Sequence, residues 1–203
     1  MNTTCNIIYN IMLELRKKYK SGNAVESIRN AILFGEISGE IAQNEFADSL
    51  GISRIPVREA LIALEYHGLI EKLPNQHVKI VEINDAAIKE LFSDMSLLEL
   101  EVIKSLPSEK LKFLSSLGQL EFHREIRRFT KSPLRKTFLK TITETYLMFV
   151  LEHSDGRNLA PVFENLKHSL EDFDILKACY AVYAEVLSTE LINIRRRKNY
   201  AES

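Results

Sequence analysis

The stretch that decides the fold spans residues 46 to 61 and reads FADSLGISRIPVREAL. Arg54 and Arg58 lie four residues apart, so in a helix they share one face near its N-terminus. The opposite face carries apolar residues at positions i, i+3, i+4 and i+7: Val57, Ala60, Leu61 and Leu64. Ser53 suits the N-cap, and Pro56 is tolerated in the first turn, where no backbone donor is required. The pattern predicts an amphipathic helix from about Ser53 to Tyr66.

Two further helices are predicted upstream of this one. Apolar residues recur at helical spacing from Ala24 to Leu33, and Gly35 is well placed to stop that helix. A second helix is predicted from about Asn44 to Leu50. Gly51 ends it, and a tight turn there would set the next helix at the angle of a helix-turn-helix.

The hydrophobic period changes after residue 68. Leu69, Glu71 and Leu73 alternate with Ile70 and Lys72, and Val78 and Ile80 alternate with Lys79 and Val81. A turn is predicted between these two runs, at residues 74–77. Three helices followed by a β-hairpin is the order of a winged helix. The sequence therefore predicts a winged helix-turn-helix domain over residues 21–83, preceded by an N-terminal arm or helix at residues 1–20.

The rest of the chain, residues 84–203, carries apolar stripes at helical spacing and predicts an all-α bundle. Asp85 is the expected cap of its first helix. Pro133 interrupts a stripe that begins at Phe122, and further helices are predicted at residues 137–151 and 172–197. The predicted fold class is therefore mostly α, with a winged helix first and a helical bundle second.

Composition bounds the function without naming it. The 203 residues are 45% hydrophobic and 27% charged, as in an ordinary globular protein. No apolar run approaches the roughly 20 residues of a membrane span, and the N-terminus has no signal-peptide layout. The cysteines, Cys5 and Cys179, form no disulfide framework or zinc pattern. We expect a cytoplasmic protein with no membrane partner and no enzymatic activity, because no catalytic signature is present.

The two arginines can serve DNA recognition, because the guanidinium fork binds guanine or phosphate oxygens bidentately. The alternative is that they are ordinary solvated charge on a helix surface. Charge alone does not favour DNA. Residues 21–83 contain five basic and nine acidic residues, a net charge of −4, so strong non-specific DNA affinity is not expected.

A family resemblance favours the DNA reading. The run SRIPVREAL at residues 53–61, with Leu64-Glu65 and Gly68-Leu69-Ile70 after it, resembles the winged helix of the GntR family of bacterial regulators. The upstream Ile28-Arg29 and residues 32–37 are similar to the same family's first helix and turn. The resemblance implies a regulator that acts as a homodimer on a palindromic double-stranded DNA operator.

The resemblance also implies roles for individual residues. The positions of Arg54 and Arg58 contact the operator in the family, and Ser53 stands beside them. Asn44 replaces an arginine common early in the second helix. At the wing tip, where the family usually has glycine after Pro-Asn-Arg, this chain has Gln76 and His77. We expect these departures to change the operator preference and, at His77, to weaken a minor-groove contact.

The helical second half resembles the FadR-like subfamily in a shortened, diverged form. Many of its members bind a metal through one aspartate and three histidines, and the metal holds a small carboxylate. His123 and His168 are the candidate ligands here, but the aspartate four residues before His123 is Gln119, and no histidine follows His168. The segment from Glu99 to His123 is short, which predicts that a helix present in relatives is missing.

Three interpretations of this half stay open. It is a dimerisation bundle without an effector pocket, a metal site with too few ligands, or a pocket for an unidentified small-molecule effector. We expect no cofactor, because two histidines without a carboxylate make a poor ligand set. A pocket would be lined by apolar and aromatic residues such as Met95, Phe122, Tyr146, Phe149 and Tyr183. A rival function for the whole chain is a protein-interaction module whose winged helix has lost DNA readout.

Overall fold

The structure is a computed structural model that describes residues 24–50 and 53–201. Two compact units follow each other along the chain, one ending at Ile83 and one spanning Asn84 to Arg197. The predicted arm or helix at residues 1–20 and the predicted Gly51 turn lie outside the described residues. Of the helices described, none combines the length and the apolar character that crossing a lipid bilayer requires.

The first unit has the predicted order of three helices and a hairpin, and adds one strand. Its elements are α1 (Ala24–Phe34), β1 (Glu40–Ala42), α2 (Gln43–Leu50), α3 (Arg54–Tyr66), β2 (Ile70–Lys72) and β3 (His77–Ile80). The three strands form an antiparallel sheet with β3 in the centre, where Ile41 faces Val78 and Ile70 faces Ile80. The winged helix is therefore confirmed, and β1 is the strand that the sequence pattern missed.

Two glycines end the helices that form this unit's core. Gly35 and Gly68 adopt φ angles of 76° and 70°, in the left-handed region that favours glycine. The amides of each glycine and of the next residue donate to carbonyls three and five residues earlier, at 2.9 to 3.0 Å. These paired hydrogen bonds satisfy carbonyl groups in the last turns of α1 and α3. The predicted stop at Gly35 is confirmed.

The core of the unit lies where α1 and α2 pack against α3 and the sheet. The four predicted inward residues of α3 are all buried, which confirms the stripe. Their partners are contributed by every other element of the unit: Ile28 and Ile32 of α1, Phe46 of α2, Ile41, Ile70 and Val78 of the strands. This packing fixes which face of α3 stays in solvent.

The second unit is helical throughout its described residues, as predicted. It contains α4 (Asp85–Lys104), α5 (Ser108–Ser115), α6 (Gln119–Phe129), α7 (Pro133–Thr141), α8 (Met148–His153), α9 (Leu159–His168) and α10 (Phe173–Ala201). Between α7 and α8 the chain stays helical through the wider π turns of Ile142–Leu147. Pro133 begins α7, where its missing amide donor costs nothing.

Two details of this unit differ from the expectations. Asn84 caps α4 by accepting a hydrogen bond of 2.9 Å from the Ala87 amide, so the cap lies one residue before Asp85. The segment between Glu99 and His123 does contain a helix, α5, so the prediction of a missing helix was wrong. Eight residues suffice because Leu114 is fully buried and ties α5 to the bundle.

Candidate nucleic-acid interface

Helix α3 presents Arg54 and Arg58 on its solvent face, one turn apart. Both side chains are exposed, and they lie beside the buried stripe that packs against α1. Within the described part of the chain, neither guanidinium group has an ion-pair or hydrogen-bond partner. Two unpaired cations at the first turns of an exposed helix can bind base edges or phosphates without first breaking an internal bond.

Asn44 and Ser53 flank this face at the starts of α2 and α3. Both are exposed. Ser53 occupies the N-cap position of α3, as predicted, but its hydroxyl accepts no capping hydrogen bond. That hydroxyl is consequently not committed to the helix terminus. Position and exposure suit Asn44 and Ser53 to polar contacts with a ligand on the α3 face.

Ile55 is a member of this surface that sequence reasoning missed. It lies between Arg54 and Pro56 in the first turn of α3, and 71% of the residue is exposed. Ile62 and Tyr66 are also exposed on the helix, towards its C-terminal end. A signal was available in the sequence, since Ile55 falls outside the buried i, i+3, i+4, i+7 stripe. An apolar side chain that folding leaves in water is a candidate for contact with a partner.

The wing tip is tighter than predicted. The loop contains Pro74–Gln76 alone, and the Leu73 amide donates to the His77 carbonyl at 2.9 Å to close it. His77 therefore belongs to β3 and has an extended backbone, whereas the sequence placed it in the turn. The left-handed positions are Asn75 and Gln76, each with a φ of 62°.

The His77 ring is engaged by the neighbouring strand. Its Nδ1 lies 2.7 Å from Oε1 of Glu40 on β1, and both side chains are partly exposed. The two residues are diagonal neighbours across the two strands, because Ala42 pairs with His77 and Glu40 with Lys79. Gln76 is exposed at the tip. The wing tip thus offers the exposed polar side chains of Asn75 and Gln76, whereas the His77 ring is shared with a carboxylate.

Residues 20–80, which contain this surface, match the family model described as bacterial regulatory proteins, gntR family. This part of the chain is therefore similar to the DNA-binding domain of GntR-family regulators. A relative from Streptomyces ambofaciens, described as an uncharacterized HTH-type transcriptional regulator in an unstable DNA locus, is 31% identical over 84 residues. That match covers 40% of this chain and 36% of the relative.

An uncharacterized HTH-type transcriptional regulator of Mycobacterium tuberculosis is 35% identical over 79 residues, covering 36% of this chain and 32% of that protein. The chain thus spans about a third of the length of these curated relatives. The family model describes bacterial regulatory proteins, and both relatives are described as transcriptional regulators. These descriptions agree with the expectation of no enzymatic activity.

A solved structure resembles most of the chain in fold. It is described by the statement that Lar controls the expression of the Listeria monocytogenes agr system and mediates virulence. The similarity has a TM-score of 0.56 at 18% identity, and it covers 84% of this chain and 95% of that one. At this identity the likeness concerns the fold alone. It agrees with a GntR-type winged helix followed by a helical domain.

In the second unit, the structure does not bring the two candidate metal ligands into a ligand cluster. His123 on α6 is fully buried, whereas His168 is exposed at the last residue of α9. Among the described residues, no group of three or more histidine, cysteine, aspartate or glutamate side chains is arranged to hold a metal ion. His123 instead belongs to a buried hydrogen-bonded network.

That network joins three helices, and sequence reasoning missed most of it. His123 Nδ1 lies 2.8 Å from Oε1 of Glu99 on α4, and its Nε2 lies 2.8 Å from the Tyr183 hydroxyl on α10. Tyr180 donates to Glu99 at 2.9 Å, and Gln119 donates to the Tyr183 oxygen at 2.8 Å. Burial raises the pKa of both tyrosine phenols, so both remain protonated donors.

The wing tip yields a stability prediction. We expect Gln76→Gly to raise the free energy of unfolding by about 0.5–1 kcal/mol. The left-handed backbone at Gln76 costs an L-residue about 1–2 kcal/mol, and the added freedom of glycine in the unfolded chain offsets part of the gain. Urea unfolding of the full chain measures the change. Lys79→Gly, in the extended strand β3, is the matched control and should be destabilising. A Gln76→Gly variant less stable than the parent would contradict the strained turn.

Proposed function

We propose that the chain is a cytoplasmic, homodimeric transcription regulator that reads a two-fold symmetric operator with helix α3 of each subunit. The observation that carries the proposal is the exposed pair Arg54 and Arg58 beside the buried stripe of α3, in residues that match the GntR-family model. Neither guanidinium group has an ion-pair or hydrogen-bond partner among the described residues. The second unit is assigned to dimerisation. Doubling the readout supplies the specificity that a domain with a net charge of −4 cannot draw from general phosphate attraction.

The geometry of α3 suits the major groove. Residues four apart are separated by about 6 Å along a helix axis, less than two base-pair steps of about 3.4 Å each. Arg54 and Arg58 can therefore address neighbouring base pairs of one half-site, or one base and one phosphate. Asn44, Ser53 and Gln76 would add contacts at the border of the site, where they position the domain without reading sequence.

The first prediction concerns the two arginines. Selection of random duplex DNA with the purified protein should enrich a palindrome, and Arg54→Ala/Arg58→Ala should abolish its binding. Each arginine that forms hydrogen bonds with a base is expected to contribute about 1–3 kcal/mol to the binding free energy per half-site. Titrations by fluorescence anisotropy across a salt series measure the loss. Arg128→Ala/Arg157→Ala removes the same charge from exposed positions of the second unit and should leave the affinity nearly unchanged.

A second function has a specific observation in its favour. Ile55, Ile62 and Tyr66 expose apolar surface on the same helix as the arginines, as expected of a protein-docking face. If the folded, dimeric protein enriches no DNA at low salt, α3 is a docking face for another protein and the operator proposal fails. Equal operator binding by the arginine variant and the parent would also reject the assigned contacts.

The exposed side chain of Ile55 allows a further test of the proposed DNA contact. An exposed aliphatic side chain beside two base-reading arginines suits the C5-methyl group of thymine, the apolar feature of the major groove. We expect replacement of the contacted thymine by uracil, which lacks that methyl, to weaken binding about fourfold, from roughly 0.8 kcal/mol per buried methyl. Ile55→Ala should bind the two duplexes equally, whereas Ile62→Ala should keep the preference. A parent protein that does not distinguish thymine from uracil anywhere in its site would exclude this role.

The second unit has a surface suited to pairing two copies. Ile175 and Val182, seven residues apart on one face of α10, are 55% and 53% exposed. On another face of α10, a groove of about 350 Å³ runs between α4 and α10, with the exposed Leu97 on one wall and Lys177 and Glu185 on the other. The exposed apolar face of Ile175 and Val182 can meet the same face of a second copy, as an isologous contact requires.

The dimer is tested at this face. Ile175→Glu/Val182→Glu should convert a dimer into a monomer, because four like charges would meet across the two-fold axis. Light scattering after size-exclusion chromatography gives the molar mass. Leu134→Glu, at a residue on α7 that is 83% exposed, is the control and should stay dimeric. A monomeric parent protein would overturn the homodimer, while a dimeric double variant would overturn only the location of the interface.

A further inference from the structure

The metal centre implied by the resemblance is contradicted by the donor groups present. Gln119 and His123 lie one turn apart on α6, and each places a side-chain nitrogen 2.8 Å from the same atom, the Tyr183 hydroxyl oxygen. Where the resemblance calls for an aspartate, Gln119 offers an amide that donates to this oxygen. Two side chains that would converge on a metal ion converge here on a phenol.

The orientation of His123 resembles that of a metal ligand. Glu99 holds its Nδ1, and a carboxylate on the outer nitrogen is what fixes the imidazole of a metal-binding histidine. In the tautomer that carries its proton on Nδ1, this nitrogen donates to Glu99, and Nε2 accepts a hydrogen bond from the Tyr183 hydroxyl. This assignment satisfies every polar group in the chain from Gln119 through Tyr183 and His123 to Glu99.

Aromatic rings fill the space around this point. The Tyr183 and His123 rings stack with centroids 5.5 Å apart and an interplanar angle of 6°. Phe163 packs against both rings, with centroids 6.0 and 6.3 Å away. Tyr183 and His123 have no exposed surface. A divalent ion at Nε2 would have to displace the phenol from a closed, close-packed core.

We propose that Tyr183 is a built-in substitute for the metal: its hydroxyl occupies the coordination point of His123 and locks α6 to α10. The C-terminal unit is then held in one arrangement by its own side chain and takes no divalent metal at this position. The inference concerns the second unit only, so it stands whether or not the first unit reads an operator.

The experiment measures metal content and thermal stability of the full chain. The protein is stripped with EDTA, mixed with excess Zn²⁺ or Ni²⁺, and passed through a desalting column before elemental analysis. We expect the parent to retain no stoichiometric metal and to keep its melting temperature. Gln119→Asp/Tyr183→His replaces the amide and the phenol with ligands, and should retain one ion per chain. Its melting temperature should rise by about 5 °C or more with metal.

The controls separate a designed site from stray binding. Adding His123→Ala to the double variant should abolish the retained metal and the thermal shift, whereas adding His168→Ala should change neither. Stoichiometric metal in the parent, lost on His123→Ala, would overturn the proposal. A folded double variant that binds no metal would overturn it as well, because the Tyr183 hydroxyl would then not mark a coordination point.

A second variant covers the case in which the double variant does not fold. Tyr183→Gly leaves a cavity of the size of a phenol beside His123 and Gln119. We expect p-cresol to raise its melting temperature more than toluene does, since only the hydroxyl satisfies the two nitrogens. Equal rescue by both compounds would show that the phenol oxygen fills space only and would reject the proposal.

Discussion

The burial of one stripe on α3 is the constraint on which the rest of the N-terminal unit depends. Val57, Ala60, Leu61 and Leu64 are withdrawn from water against α1 and the sheet. Burial of each of the valine and leucine side chains contributes about 1.5–3 kcal/mol, so the helix cannot rotate about its axis without losing the core. The exposed face, and with it Arg54 and Arg58, is therefore fixed by residues that never touch a ligand.

The features that could be predicted from sequence are those with local causes. The α3 stripe, the Gly35 stop and the break at Pro133 each follow from periodicity or from the chemistry of one residue. Strand β1 could not be predicted, because three residues are too few to show a hydrophobic period. It forms through its pairing with β3, which lies far along the chain. Helix α5 could not be predicted for a similar reason, since one buried leucine, Leu114, packs it against the bundle and a single residue shows no period.

The candidate functional residues also differ in whether their surroundings could be predicted from sequence. The positions of the arginines on α3 could be read from their spacing, whereas the partners of His123 could not. Glu99, Tyr180 and Tyr183 come from two other helices, and nothing in the spacing of a buried glutamate shows which histidine it will face. The resemblance directed attention to His123 as a ligand, and only the packed structure shows that both of its nitrogens are already engaged.

The contact between His77 and Glu40 has a consequence for the energetics of the wing. The Glu40 carboxylate sits 2.7 Å from the ring nitrogen, where an approaching phosphate would also bind. A backbone phosphate that reaches His77 must expel this resident anion, so the contact is an exchange between two competitors and adds little net attraction. Under the proposed function, the wing therefore contributes little to binding, and discrimination between DNA sequences is assigned to helix α3.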